Sequence, residues 1–187
     1  MGRRVILIRH AVVPEAYQAC CYGQSDVELD ETGRAQSQAT AELAAGWPIT
    51  HLYASDLSRA RDMAQRISER RGVPVTLDPR LRERHFGAWE LVPWDDLAAN
   101  HFAALANLAA DPEKFAPAGG ETTFEHRNRI MEWYRELPRE GFIVAVTHGG
   151  TIAVLLGTLR GLPVYEWPEL VPDYGAFVEL GDTPASA

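Results

Sequence analysis

At 187 residues the chain has the length of one domain, or of one domain with a modest insertion, at roughly 150 residues per domain. Its 46% hydrophobic, 9% aromatic and 24% charged residues fit a folded globular protein and exclude disorder, collagen and coiled coil. Eighteen Lys plus Arg against twenty-six Asp plus Glu leave a net charge of −8, which repels DNA, RNA and anionic membranes, so neither nucleic acid nor a membrane is an expected partner.

The first element is Val5-Ile6-Leu7-Ile8, an apolar, β-branched run with the pattern of a strand buried on both faces of a parallel sheet. It stops at Arg9, too short for a signal-peptide core or a membrane span. Cysteine occurs only as the adjacent pair Cys20 and Cys21, which supports neither a disulfide framework nor a thiolate zinc site. A cytoplasmic location is expected. A loop with Pro14, Gly23 and Asp26 leads to 32–45, where the spacing Ala35, Ala39, Leu43 reads as a helix of strong formers ending at Gly46 and Pro48. Ile49 to Ala54 reads as the second strand. Ser55-Asp56 then provides the cap for a helix with apolar positions Leu57, Ala60, Ala64 and Ile67, ended by Gly72.

Val73 to Leu77 is a third strand, and Pro79 to Trp94 is a loop dense in charge and aromatics with neither period. Helices follow over 94–110 and 121–137, the latter with Phe124, Ile130, Tyr134 and Leu137 on one face, separated by a Pro/Gly loop. Phe142 to Val146 is the strongest strand, Ile152 to Leu159 a helix apolar nearly all round and so buried, and Ala176 to Leu180 a last strand. Alternation of this kind predicts an α/β fold: a three-layer sandwich with a mostly parallel central sheet and helices on both faces. The whole chain, 1–187, is read as one domain with a helical lid over about 89–137.

Ligands in such sheets bind beyond the carboxyl ends of the strands. There the first strand ends in Arg9-His10 and the strand at 142–146 in Thr147-His148, followed by Gly149-Gly150 and a helix. A single histidine at a strand end is more often a hydrogen-bonded structural residue. Two on one rim, one beside an arginine and one opening a helix whose free N–H groups suit an anion, argue for a functional pair.

These features resemble the histidine phosphatase superfamily, which contains the cofactor-dependent phosphoglycerate mutases and many small phosphatases. Arg-His after the first strand is matched by Leu7-Ile8-Arg9-His10, and a Gly, Asp, Leu, Gly series by Gly23-Gln24-Ser25-Asp26, Leu29 and Gly33. The Ser-x-Leu-x-Arg-Ala helix start is matched by Ser55 to Ala60, and the acidic loop by Leu81-Arg82-Glu83-Arg84-His85-Phe86-Gly87-Ala88-Trp89-Glu90. Gly119-Gly120-Glu121 and Val146-Thr147-His148-Gly149-Gly150 complete the series in the family's order, over roughly residues 5–160.

The resemblance implies that His10 attacks phosphorus and becomes a phosphohistidine, that Arg9, Arg59 and His148 hold the phosphoryl oxygens, and that Glu83 is acid and then base. Arginine carries permanent charge in a bidentate fork, so neither metal nor other cofactor is expected. The family continues Arg-His with Gly and polar residues, whereas this chain reads Ala11-Val12-Val13-Pro14-Glu15-Ala16, so the customary phosphate contacts are missing. Gln18, Gln24 and Ser25 are candidates to replace them, with Gly149 as a further phosphate contact.

The mutases of the superfamily are longer and place a lysine after the Glu loop, whereas this chain has Lys114 alone, so hydrolysis of a small phosphomonoester is favoured. Tyr22-Gly23-Gln24-Ser25-Asp26 and Phe86 to Glu90 look like the α-ribazole phosphatases of cobalamin assembly and their broad-specificity neighbours, which makes α-ribazole phosphate one candidate ester. Glu83-Arg84-His85-Phe86 also resembles the mutase loop, so mutase-type transfer stays open. So do a catalytically weak phosphoryl-ligand binder and a homodimer. Trp94, Phe102 and Phe115 of the lid either stack on a substrate ring or pack in the core, and their helical spacing favours the core.

Overall fold

The computed structural model describes residues 2–180; the small, polar tail after Leu180 lies outside them. The strands are β1 (Arg3–Arg9), β2 (Cys20–Cys21), β3 (His51–Ala54), β4 (Val75–Leu77), β5 (Val92–Pro93), β6 (Gly141–Thr147) and β7 (Phe177–Leu180). The helices are α1 (Glu15–Gln18), α2 (Glu31–Ala44), α3 (Ser58–Arg71), α4 (Trp94–Ala110), α5 (Thr123–Glu136) and α6 (Gly149–Leu159). The main sheet has the order β4-β3-β6-β1-β7, with β7 antiparallel to β1 and the other pairings parallel. Among the described residues no helix is long and apolar enough to cross a membrane.

Side chains of a strand alternate between faces, and here the alternation separates two cores. Ile6 and Ile8 of β1, with Val144 and Val146 of β6, pack against Ala41, Ala44, Met63, Ala64 and Ile67 of α2 and α3. Val5 and Leu7, with Ile143 and Ala145, face Ile130, Trp133, Ile152 and Leu155 of α5 and α6. The three-layer α/β expectation therefore holds. Each such aliphatic side chain taken from water contributes roughly 1.5–3 kcal/mol. A third, smaller cluster of Cys21, Trp89 and Leu97 lies where α4 meets the β2–β5 pair.

The structure departs from the sequence expectations in four places. The buried face of α2 is Gly33, Ser37, Ala41 and Ala44, whereas Ala35, Ala39 and Leu43 face solvent. Small residues win there because the helix lies close to its neighbours: a Cβ on Gly33 would sit 2.3 Å from the Val12 carbonyl, and the Ser37 hydroxyl donates to Asp62 at 2.7 Å. Ser55 and Asp56 do not cap α3, which begins at Ser58; Asp26 takes that role from another loop, accepting from the Ser58 N–H at 2.8 Å. The 79–94 segment holds 3₁₀ turns at Pro79–Leu81 and Gly87–Trp89 and the short strand β5, too brief to show a period. Of Trp94, Phe102 and Phe115, only Phe115 packs inward, against Trp89; Phe102 is 76% exposed and Trp94 is 39% exposed, edge-on to Phe86 at 5.7 Å.

A 3₁₀ turn over Val164–Leu170 follows α6 and seats Trp167 directly on Gly157, where a Cβ would lie 2.2 Å from the indole. Gly157→Ala is expected to force the indole out of place and lower the unfolding free energy by about 1–3 kcal/mol, despite alanine's better helix propensity. The readout is the urea midpoint at unchanged m-value. An unaltered midpoint would show that this contact bears no weight.

Candidate active site

The β1–β6 register pairs Arg9 with Thr147, so the residues that follow each strand, His10 and His148, leave the sheet side by side. The His10 N–H donates to the Thr147 carbonyl at 2.9 Å, and the two rings lie 5.1 Å apart between centroids. Nδ1 of His10 is 2.7 Å from the Ala11 carbonyl, which can only accept. The ring proton therefore sits on Nδ1 and the lone pair on Nε2. Burial, then the charge of Arg59, and then that of Arg9 push the His10 pKa well below 6.5, so the ring is neutral at pH 7.

Arginine side chains flank this ring, without carboxylate partners among the described residues. Arg9 donates to the Pro172 carbonyl at 2.6 Å and lies 3.7 Å from the Tyr174 ring centroid. Arg59, fully buried, donates to the carbonyls of Gly23 at 2.6 Å and Ser25 at 2.8 Å, and burial lowers its pKa. The His148 Nε2 is 2.8 Å from the Ser55 hydroxyl, and burial followed by the Arg59 charge keeps this ring neutral too. Among the described residues, the buried side-chain polar atoms without a partner are Arg9 Nε, Arg59 Nε, His148 Nδ1 and Trp133 Nε1. Three of them belong to this cluster, and orphaned donors around a buried ring make a socket for an anion.

The Glu83 carboxylate faces the same cavity as Arg9 and is held by the start of α6: Oε2 accepts from the Gly150 N–H at 2.8 Å and Oε1 from the Arg84 N–H at 2.9 Å. The paired glycines serve this approach. A Cβ on Gly150 would meet Glu83 Oε1 at 2.5 Å, and one on Gly149 would meet Arg9 Nε at 3.0 Å. Behind the carboxylate, the Arg129 guanidinium donates to the carbonyls of Arg80, Arg82 and Glu83 and to Glu121. Gln24 donates to the Glu83 carbonyl at 2.9 Å, and the Ser25 hydroxyl to Glu90 at 2.6 Å. Gln18 lines the cavity, with its amide donating to the Val13 carbonyl at 3.0 Å.

Arg9, His10, Arg59, Glu83, His148 and Gly149 are thus gathered at one end of the sheet, with Gln24 and Ser25 one layer outside. Sequence reasoning missed Tyr174, which stacks on Arg9 and lies 5.6 Å from the His10 ring, because its segment carries no periodicity. It also took Ser55 for a helix cap. His126 is a further buried ring, 3.0 Å from the Thr151 hydroxyl, and its pKa lies well below 6.5 through burial and the Arg129 charge. Among the described residues no group of three or more His, Cys, Asp or Glu side chains is placed to hold a metal ion.

An α/β sandwich that sets a buried, neutral histidine among arginines at its strand rim defines a class of phosphoryl-handling enzyme. Residues 5–184 match the model of the histidine phosphatase superfamily, branch 1, and the chain belongs to that superfamily, as an enzyme of the phosphatase class. A glucosyl-3-phosphoglycerate phosphatase from Mycolicibacterium vanbaalenii is 36% identical over 179 residues, covering 90% of this chain and 79% of the relative. The solved structure of the mycobacterial glucosyl-3-phosphoglycerate phosphatase superposes with a TM-score of 0.81 at 32% identity, over 96% of this chain and 90% of that one. A relative from Erwinia tasmaniensis named "Probable phosphoglycerate mutase GpmB" is 33% identical over 163 residues, covering 86% of this chain and 76% of its own length.

The three buried rings have a consequence for stability. His10, His126 and His148 are neutral in the folded state but titrate near 6.5 once unfolded. Between the depressed folded values and 6.5 the unfolded chain binds more protons, so the stability these rings confer is complete above about pH 6.5 and is lost as pH falls below it. Urea unfolding across pH 7.5 to 5 is expected to show a loss of up to about 1.4 kcal/mol per pH unit per ring. A flat profile over that range would contradict neutral burial.

Proposed function

We propose that the protein is a phosphomonoester hydrolase that needs no metal ion and acts on a small phosphorylated metabolite through a phosphohistidine at His10. The observation that carries the reading is the Nε2 lone pair of a neutral His10, faced by the unpartnered donors of Arg9, Arg59 and His148. Nε2 attacks phosphorus, the P–O bond to the alcohol breaks, and the protonated Glu83 gives its proton to the departing oxygen. Glu83, now a carboxylate, takes a proton from water, whose oxygen displaces Nε2 and releases inorganic phosphate. The guanidinium groups offset charge on the non-bridging oxygens throughout.

His148 completes the oxygen contacts. The Ser55 oxygen already accepts from the Leu57 N–H at 3.3 Å, and its own proton is available to His148 Nε2, which leaves Nδ1–H as a donor to phosphate. Gly149 admits the Arg9 side chain at the phosphate. Gln24 and Ser25 act through what they hold, the Glu83 carbonyl and, through the Ser25 carbonyl, Arg59. The Ala11-Val12-Val13 departure fits this arrangement: the Ala11 carbonyl fixes the His10 tautomer, while Ala11 and Val13 are buried. We place the reaction in the cytoplasm, with α-ribazole phosphate and glucosyl-3-phosphoglycerate among the first esters to try.

Mutase-type transfer is the second reading, favoured by the similarity to the named mutase, and conversion of 3-phosphoglycerate to its isomer decides it. For hydrolysis the expected outcome is phosphate release that survives EDTA and is abolished in His10→Ala. Glu83→Gln should lose about 10²–10⁴-fold on an alkyl ester but much less on 2,4-dinitrophenyl phosphate, whose leaving group needs no proton. After an alkaline quench of the wild-type reaction, the His10 peptide should carry one phosphoryl group by mass. Turnover retained in His10→Ala would end the phosphohistidine mechanism.

A further inference from the structure

We infer that the leaving group of the natural ester is an apolar, ring-bearing alcohol without a carboxylate, bound in the cavity between Glu83 and the 164–170 turn. This rests on the hydrolase reading above and names the substrate class for the same site. The cavity has a volume of about 500 Å³, and Arg9, Glu83 and Tyr174 stand on its phosphate side. Away from phosphate its wall is mostly carbon: Phe86 and Trp94, edge to face, with Leu108 of α4, Val154 of α6, and Val164 and Trp167 of the turn, beside the polar Gln18, Thr123 and His126. The polar atom of Trp167 is taken up, since Nε1 donates to the Leu162 carbonyl at 2.9 Å, leaving the indole to offer its carbon surface.

Beyond the phosphate side, the cationic nitrogens of the wall already have hydrogen-bond partners. Arg9 and Arg84 are the arginines among its described lining residues, and Arg9 belongs to the phosphate. Arg84 donates through Nε and Nη2 to the Glu121 carbonyl and through Nη1 to the Thr123 hydroxyl, with its guanidinium 5.3 Å from the Phe86 ring centroid. His126, also in the wall, donates no charge because it is buried neutral against Thr151. A carboxylate entering here would shed its water and find every side-chain nitrogen of Arg84 already engaged. An apolar ring would gain burial against Trp94, Trp167 and Leu108. A sugar acid of the kind in the relatives' name is therefore a poor fit to this wall.

The test compares alkyl esters of similar leaving-group acidity: 2-(2-naphthyl)ethyl phosphate, glycerol 3-phosphate and 3-phosphoglycerate, each assayed for kcat/KM with the full chain. The naphthylethyl ester is expected to exceed glycerol 3-phosphate by at least tenfold and 3-phosphoglycerate by more. Leu108→Arg, or Val164→Arg from the turn should the first fail to fold, is expected to narrow that gap by lowering the first value and raising the last. Equal or better turnover of 3-phosphoglycerate by the wild type overturns the inference. Calorimetric binding of the matching naphthylethyl phosphonate against 3-phosphoglycerate reads the preference without chemistry. Absent turnover of every ester would then sink the hydrolase reading alone, while tighter binding of the phosphoglycerate would sink this one.

Discussion

The ladder between β1 and β6 fixes everything else. Seven paired positions hold two strands in parallel from Arg3–Gly141 to Arg9–Thr147, so their ends are level and the next residues of each emerge at the same height. A shift of one residue would turn every apolar side chain of β1 to the other core and separate the histidines. Because the two strand faces feed different clusters, that register is doubly enforced. The placement of His10 and His148 is thus paid for by hydrophobic packing far from any polar chemistry.

A second principle concerns how cations are kept. On the outer surface, arginines meet carboxylates: Arg82 with Asp56, Arg80 with Asp78, Arg66 with Asp62. In the site, Arg9 and Arg59 are gripped by backbone carbonyls and aromatic faces instead. Carbonyl dipoles orient a guanidinium without cancelling its charge, so the full positive potential remains for an anion. The cost is a lowered Arg59 pKa and two imidazoles held neutral next to it, and that neutrality is what a nitrogen nucleophile needs.

Much of this was legible in the chain itself, and the boundary follows physical lines. Strands such as Val5–Ile8 and Phe142–Val146 announce themselves because both faces are apolar, and α6 because it is buried on all sides. The motif residues His10, Arg59 and His148 lie where a strand end or helix start presents them, and Glu83 lies in the loop that follows the Pro79–Leu81 turn. What escaped depends on contacts between distant segments. The burial of α2 on its glycine and alanine face reflects how closely two helices pack, which no apolar spacing encodes. Ser55 reads as a cap until the β6 strand end brings His148 beside it, and Tyr174 has no local signal at all. Arg129, on α5, has no local signal either, yet it gathers three carbonyls of the Glu83 loop.

Helix α6 joins two functions along one axis. Its first turn grips the Glu83 carboxylate through Gly150, and two turns later Gly157 receives the Trp167 indole that forms the cavity wall. Its eleven residues form one continuous helix, buried along most of its length. The Glu83 carboxylate and the wall therefore share one lever, whereas Leu108 and Trp94 hang from α4, which rests on its own small cluster. Diversification of this scaffold is then asymmetric: α4 is the side where new substrates can be acquired by drift, and α6 is the side where any such change is felt by the chemistry.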